Sequence, residues 1–281
     1  MPNVRCNECG TVNLVADEIC KVCGAELRST PRPGDDRTPR VFTDDIPPFT
    51  GATDGIGPTF HLFKNNFWLI TKVVFVIVAP FEIFKALSVH QAQMDWQLSL
   101  GLFVMQLICN FLVVPALFYS LLKVIQTGDA PSLNEAYRWS LGKLPKLAAA
   151  SIISWILTAL GFVMLIIPGV ILSLVFALVY PVAVFEKGSA SETLSRSAQL
   201  TKGHRLNIFL AYVVIFILVG AINMAAGGVL GIFVLNGVSF WPLEVGVAVF
   251  SDIFGETFTV LSLVIYVGIL RTLESGQSVI E

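Results

Sequence analysis

Six apolar stretches in succession leave a chain of this kind very few ways to fold. They lie near residues 67–87, 98–122, 147–167, 169–186, 206–235 and 245–270. A helix needs roughly 20 apolar residues to cross a hydrocarbon core about 30 Å thick. A buried helix of a soluble protein could account for any one stretch, but not for six in a row. Inside lipid every backbone polar group must be satisfied within its own segment, so helices are the expected form. Composition agrees, with 55% hydrophobic and 14% charged residues, where a soluble domain carries about 25% charged. The expected fold class is therefore an all-α polytopic membrane protein. Residues 59–275 form a six-span membrane domain with interfacial amphipathic helices, and residues 276–281 form a short tail. The fourth span is short, and the fifth is long enough to tilt or bend at Gly227-Gly228.

Loop charge sets the orientation, because short cytosolic loops carry the excess Lys and Arg. The segment after span two holds Lys123, Arg138, Lys143 and Lys146, and the segment after span four holds Lys187, Arg196, Lys202 and Arg205. Loops 88–97 and 236–244 hold neither residue type, and spans three and four are joined by Ile167-Pro168-Gly169 alone. Both termini are then cytosolic, with three short hairpins facing outward. Lys85, near the outer end of span one, is the misfit, and Glu82 one turn earlier is its expected partner. The start MPNVRCNECG has no apolar h-region, so no cleavable signal peptide is expected.

The other strong pattern is at the N-terminus. Cys6, Cys9, Cys20 and Cys23 stand as C-x2-C, ten residues, then C-x2-C. Paired knuckles of this spacing let four thiolates close a tetrahedral site around Zn²⁺. Gly10 and Gly24 follow the second cysteine of each knuckle, where a left-handed backbone is often needed. Two disulfides or an iron site are the alternatives; a reducing cytosol argues against the first. Residues 1–28 are thus read as a zinc ribbon, with Zn²⁺ structural because no position is left open for water. Nothing basic and aromatic accompanies it, which argues against nucleic acid and for a cytosolic protein partner. Residues 29–58 contain six prolines and charges of both signs, the composition of a flexible linker.

The two long cytosolic loops resemble each other. PSLNEAYRWSLGK and GSASETLSRSAQLTKG each open with a capping box, Ser132 with Glu135 and Ser189 with Glu192. Each has a serine five residues after the glutamate, Ser140 or Ser197, and then a glycine, Gly142 or Gly203. Phe60 to Lys64 is a more degenerate third copy. A unit of one amphipathic helix plus a two-span hairpin, used two or three times, is expected, its basic residues facing an anionic leaflet.

The order of Pro168-Gly169, an apolar span, PVAVFEKG and SASETLSRSAQLTKGHR resembles the membrane domain of bacterial glycerophosphoryl diester phosphodiesterases. It is also similar to a broad set of uncharacterised six-span bacterial membrane proteins. The matching positions are Pro168, Gly169, Pro181, Glu186, Ser197, Leu200, Gly203 and Arg205, and the interfacial helix between them carries Glu192 and Arg196. The resemblance covers about residues 58–275 and implies the bacterial inner membrane and a six-helix domain. The phosphodiesterase activity does not carry over, because a catalytic barrel needs well over a hundred further residues.

Charged residues inside spans are expensive and mark functional positions by default. Asp252 and Glu256 stand four residues apart on one face of span six. Counted from Arg271 at 1.5 Å per residue, they lie roughly 28 and 23 Å toward the outside. With Glu82 and Lys85 at similar depth, they outline a polar cavity facing outward; solvated interfacial carboxylates are the plainer reading. No G-x-S-x-G, H-E-x-x-H or Walker loop occurs and the three histidines are scattered, so no enzyme is expected. The leading expectation is a non-enzymatic adaptor or regulator whose ribbon docks a partner. The alternative is a transporter or a lipid- or ion-binding protein using the cavity. Membrane lipids are partners in either case, and self-association as a homo-oligomer is compatible with both.

Overall fold

The computed structural model describes residues 3–5, 12–14, 46–91, 96–236 and 241–274. The chain divides into two compact units, Met1–Pro39 and Arg40–Glu281. In the first, β1 (Asn3–Arg5) pairs antiparallel with β2 (Val12–Leu14), setting Asn3 opposite Leu14 and Arg5 opposite Val12. Cys6, Cys9, Cys20 and Cys23 lie outside the described residues.

The second unit is helical and repeats one element order three times. Its first repeat is α1 (Ala52–Asn65), α2 (Phe67–Gln91) and α3 (Trp96–Thr127). The second is α4 (Leu133–Leu141), α5 (Leu144–Met164) and a divided span, α6 (Ile166–Val175) with α7 (Val179–Phe185). The third is α8 (Ala190–Leu200), α9 (Arg205–Leu235) and another divided span, α10 (Trp241–Gly255) with α11 (Thr257–Glu274). Six segments are long and apolar enough to cross a membrane: Phe67–Ser88, Trp96–Thr127, Leu144–Met164, Ile166–Phe185, Arg205–Leu235 and Trp241–Leu273. This is the architecture of a multi-pass membrane protein.

Of the two capping boxes expected from sequence, one closes fully and the other keeps only its serine cap. Ser189 Oγ accepts from the Glu192 amide at 3.3 Å while Glu192 Oε2 accepts from the Ser189 amide at 3.2 Å, a complete capping box. Ser132 Oγ accepts from the Glu135 amide at 3.3 Å, but the Glu135 carboxylate turns away to Lys123 Nζ at 2.7 Å and to the Tyr119 hydroxyl. In α1 the cap is Gly51, and Asp54 Oδ2 accepts from the Gly51 amide at 2.7 Å and the Thr50 amide at 3.0 Å. The third copy thus starts at Gly51 rather than at Phe60. It hid in the sequence because glycine has no oxygen with which to close the box.

Each short helix packs on the second span of the preceding repeat: α4 on α3, α8 on α7, and α1 on α11. The last contact closes the series into a ring, with the first repeat leaning on the third. The contact face is built the same way in all three. The residues four and eight positions after the cap are small and buried: Gly55 and Thr59, Ala136 and Ser140, Thr193 and Ser197. Small side chains let helix backbones approach closely where no hydrophobic effect drives association. Ser140 Oγ then donates to the Leu112 carbonyl at 3.0 Å, and Ser197 Oγ to the Val175 carbonyl at 2.9 Å. At the centre of the ring, every residue of α11 from Val260 to Leu270 is buried, as befits a helix that is apolar all round.

Two expectations are corrected here. Residues 46–58 do not belong to a flexible linker. Ile46 and Phe49 are buried, the Phe49 amide donates to the Gly268 carbonyl at 3.1 Å, Arg271 donates to the Ile46 carbonyl, and α1 begins at Ala52. A Cβ on Gly268 would stand 3.0 Å from Phe49 Cβ, so a side chain there would have to push the strap outward. Residues 29–45 of the expected linker lie outside the described residues. The connection between spans three and four is Leu165, extended at φ −166° and ψ 154°, and not Ile167-Pro168-Gly169. Pro168 stands in the first turn of α6, where a missing amide costs nothing. Gly169 is where α5 and α6 close, since a Cβ there would meet the Phe162 ring at 2.4 Å.

Candidate functional site

Two clusters of buried polar groups occur in the membrane domain, and they are built differently. The first ties several helices together around Glu186, which follows α7 and is buried. Arg196 Nε on α8 donates to both carboxylate oxygens, at 3.1 and 3.2 Å. The Tyr266 hydroxyl on α11 donates to Oε1 at 3.2 Å, and Lys146 Nζ on α5 donates to the Glu186 carbonyl. One residue therefore clamps four helices. Ser197 holds the free end of α6 through the Val175 carbonyl. Glu192 serves the cap, and Gly203 has φ +83°, a left-handed turn before α9 that disfavours a side chain. Arg205 opens α9, its Nε buried with no partner.

Several groups outside the spans are tuned by the packing at this end of the bundle. Hydrogen bonds from Lys123 and Tyr119 hold Glu135 below the usual carboxylate range. Burial pushes the Tyr137 hydroxyl up, and it donates to the Val73 carbonyl of α2. Burial pushes His204 down, its ring lying 5.8 Å from that of Phe49.

The second cluster lies at mid-span. A cavity of about 1010 Å³ opens among α3, α5, α6, α9, α10 and α11, and both Asp252 and Glu256 line it. Glu256 stands where span six is interrupted between α10 and α11, close to the middle of the 33-residue segment Trp241–Leu273. The residue between the two helices is thus the carboxylate itself. Across the cavity, span four is interrupted between Val175 and Val179, and Phe176 and Ala177 from that break also line the wall. Discontinuous helices meeting at mid-depth free backbone and side-chain groups for binding.

Glu256 Oε2 is buried with no hydrogen-bond partner. Among the lining residues there is no Lys, Arg or His to neutralise either carboxylate; the other polar groups are hydroxyls and the Asn110 amide. The rim is aromatic and reaches the bundle surface, with Trp155 41%, Phe162 47% and Phe216 69% exposed.

Glu82 and Lys85 do not line this cavity. They pair with each other on α2 at 2.5 Å, Glu82 buried and the Lys85 ammonium 5.6 Å from the Phe81 ring. Glu82 and Lys85 thus pair with each other, while Asp252 and Glu256 line the cavity. Asn110 lines the cavity, and the buried thiol of Cys109 does not. Sequence reasoning missed the break at Phe176–Leu178, which contains neither glycine nor proline. It also missed Tyr180 and Tyr212, whose hydroxyl-bearing rings form part of the wall.

Among the described residues no group of three or more His, Cys, Asp or Glu could hold a metal ion. No family model, curated protein or solved structure matches the chain.

Proposed function

We propose that the six-span domain binds an amphiphilic ligand at mid-span and carries or presents it within the membrane. The observation that supports this best is the cavity holding Glu256, whose buried Oε2 has no partner, beside two interrupted helices. A buried unpaired acceptor costs about 1–3 kcal/mol, a cost that a ligand supplying a donor removes. The cavity volume of about 1010 Å³ is at the upper end of small-molecule sites, which run to about 1,000 Å³. The exposed aromatic rim gives apolar chains a way in from the side. The test is mass spectrometry of lipid that co-purifies with the chain in neutral detergent. Wild type is expected to retain a defined lipid set, and Ala159→Trp, which places an indole in the cavity wall, to lose it. Equal lipid content in the two would defeat the proposal.

A second reading concerns the N-terminal unit, a structural zinc ribbon that docks a cytosolic protein without catalysing anything. Its supports are the knuckle spacing of Cys6, Cys9, Cys20 and Cys23 and the antiparallel strands on either side of Cys6 and Cys9. Metal analysis should find one zinc per chain, lost with C6S/C9S while the membrane domain stays folded. A chain that purifies without zinc from metal-replete cells rejects it. The membrane is proposed to be the bacterial inner membrane, with both termini cytosolic; a reporter after Ser275 that reads extracytoplasmic would reverse that orientation.

A further inference from the structure

We infer that the amphiphile taken up by this cavity carries an ammonium group on its head and no net negative charge. This rests on the cavity being a ligand site, as proposed above, and adds the chemistry of what enters it. Three independent features point the same way.

The first is charge. Asp252 and Glu256 are the charged side chains of the wall, and the wall has no Lys, Arg or His. An anionic head, such as a phosphate monoester or a fatty carboxylate, would meet two acidic groups, and Lys85, the cation that acts on Asp252, lies off the wall and is already paired with Glu82. A neutral hydroxyl head could donate one hydrogen bond but would leave the carboxylate charge uncompensated. An ammonium supplies three donors on a compact positive centre, and Glu256 Oε2 is a buried acceptor that has none.

The second is the company those carboxylates keep. A bare inorganic cation needs several oxygens converging at about 2.0–2.6 Å. No three acidic, His or Cys groups converge in that way among the described residues. Beyond the carboxylates, the wall is mostly aliphatic and aromatic, with Phe111, Phe118, Phe162, Phe209 and Phe216 on it. Such a wall suits a hydrocarbon chain attached to the cation and serves a naked ion poorly.

The third is the rim. Trp155 and Phe216 lie on the cavity wall and are also exposed at the bundle surface. An organic cation passing between lipid and the interior would be met there by aromatic faces, which attract ammonium groups within about 6 Å. Trp155 is stacked on Phe111 at 6.0 Å, so its indole is held in place at that passage.

The experiment uses the full chain in neutral detergent and three probes of equal chain length: dodecylamine, dodecanol and dodecanoate. Binding is read by Trp fluorescence and by the shift in thermal midpoint. The amine is expected to bind at least about tenfold more tightly than the alcohol, the equivalent of one charge-assisted hydrogen bond, with the carboxylate weakest. In D252N/E256Q the amine should fall to the level of the alcohol. If amine and alcohol bind equally to wild type, the head-group inference fails while the cavity remains a site for chains. If none of the three binds, both readings fall. The wild-type series decides the matter even if the double variant does not fold.

Discussion

The Glu186 cluster and the Asp252–Glu256 cavity contain the same chemical group in a low-dielectric setting, and the protein treats it in opposite ways. Glu186 has Arg196 on both oxygens and Tyr266 on one, so the charge is closed off and four helices are tied together. Glu256 has nothing on its buried Oε2, and no basic residue joins it on the cavity wall. A buried carboxylate that is fully paired holds a fold together, whereas one left unpaired is a cost that folding alone does not recover. The difference separates architecture from function in a chain where both are written in the same residue types.

That contrast can be broken or sharpened by experiment. The largest effect is expected for Arg196→Ala, which leaves Glu186 buried without its counter-ion; a loss of about 2–4 kcal/mol should appear as a lower apparent unfolding midpoint in detergent. Glu256→Gln should cost less than about 1 kcal/mol or be stabilising, because it removes an unneutralised charge without breaking an ion pair. A destabilisation by Glu256→Gln as large as that by Arg196→Ala would make both clusters structural and erase the distinction. Next in size is Gly169→Ala. Its methyl would stand 2.4 Å from the Phe162 ring, so overpacking of about 1–3 kcal/mol is expected, along with a displaced cavity wall. Ser197→Ala removes the hydroxyl that holds the Val175 carbonyl and should cost about 1–2 kcal/mol. Thr59→Ala should cost less, because that hydroxyl only serves the Gly55 carbonyl of its own helix. Equal losses at the two sites would show that the helix break adds nothing to the role of Ser197.

The smallest effect concerns pH. Burial depresses the His204 pKa in the fold, so the unfolded chain takes up its proton first, near the ordinary value of about 6.5. The contribution of the neutral ring is complete above that pH and declines as pH falls through the depressed value in the fold. His204→Gln should flatten the midpoint-against-pH curve in this acidic window and leave it unchanged at pH 8. An unchanged slope would assign the dependence to another group.

The spans were legible because length and apolar content decide them locally, and the bounds found from sequence differ from the helices by a few residues. The caps at Ser132 and Ser189 were legible for the same reason. Elements that depend on distant partners were not. The break at Phe176–Leu178 is made of good helix-compatible apolar residues, and what holds its free carbonyl is Ser197, more than twenty positions later. The strap at Ile46–Phe49 has two prolines and follows a charged, linker-like stretch, yet it docks on Gly268, a contact no local pattern announces. The cavity was half legible. Asp252 and Glu256 were visible as charges out of place, but their separation from Glu82 and Lys85 depends on which faces α2 and α10 turn to one another.

The closure of α1 against α11 carries a consequence in time as well as in space. The ribosome delivers α1 first and its docking partner last, with 191 residues lying between Asn65 and Thr257. At roughly 5–20 residues per second, the earliest short helix waits on the order of 10–40 s for its seat. During that interval the growing bundle is an open arc, and the final turn of synthesis is the event that shuts it.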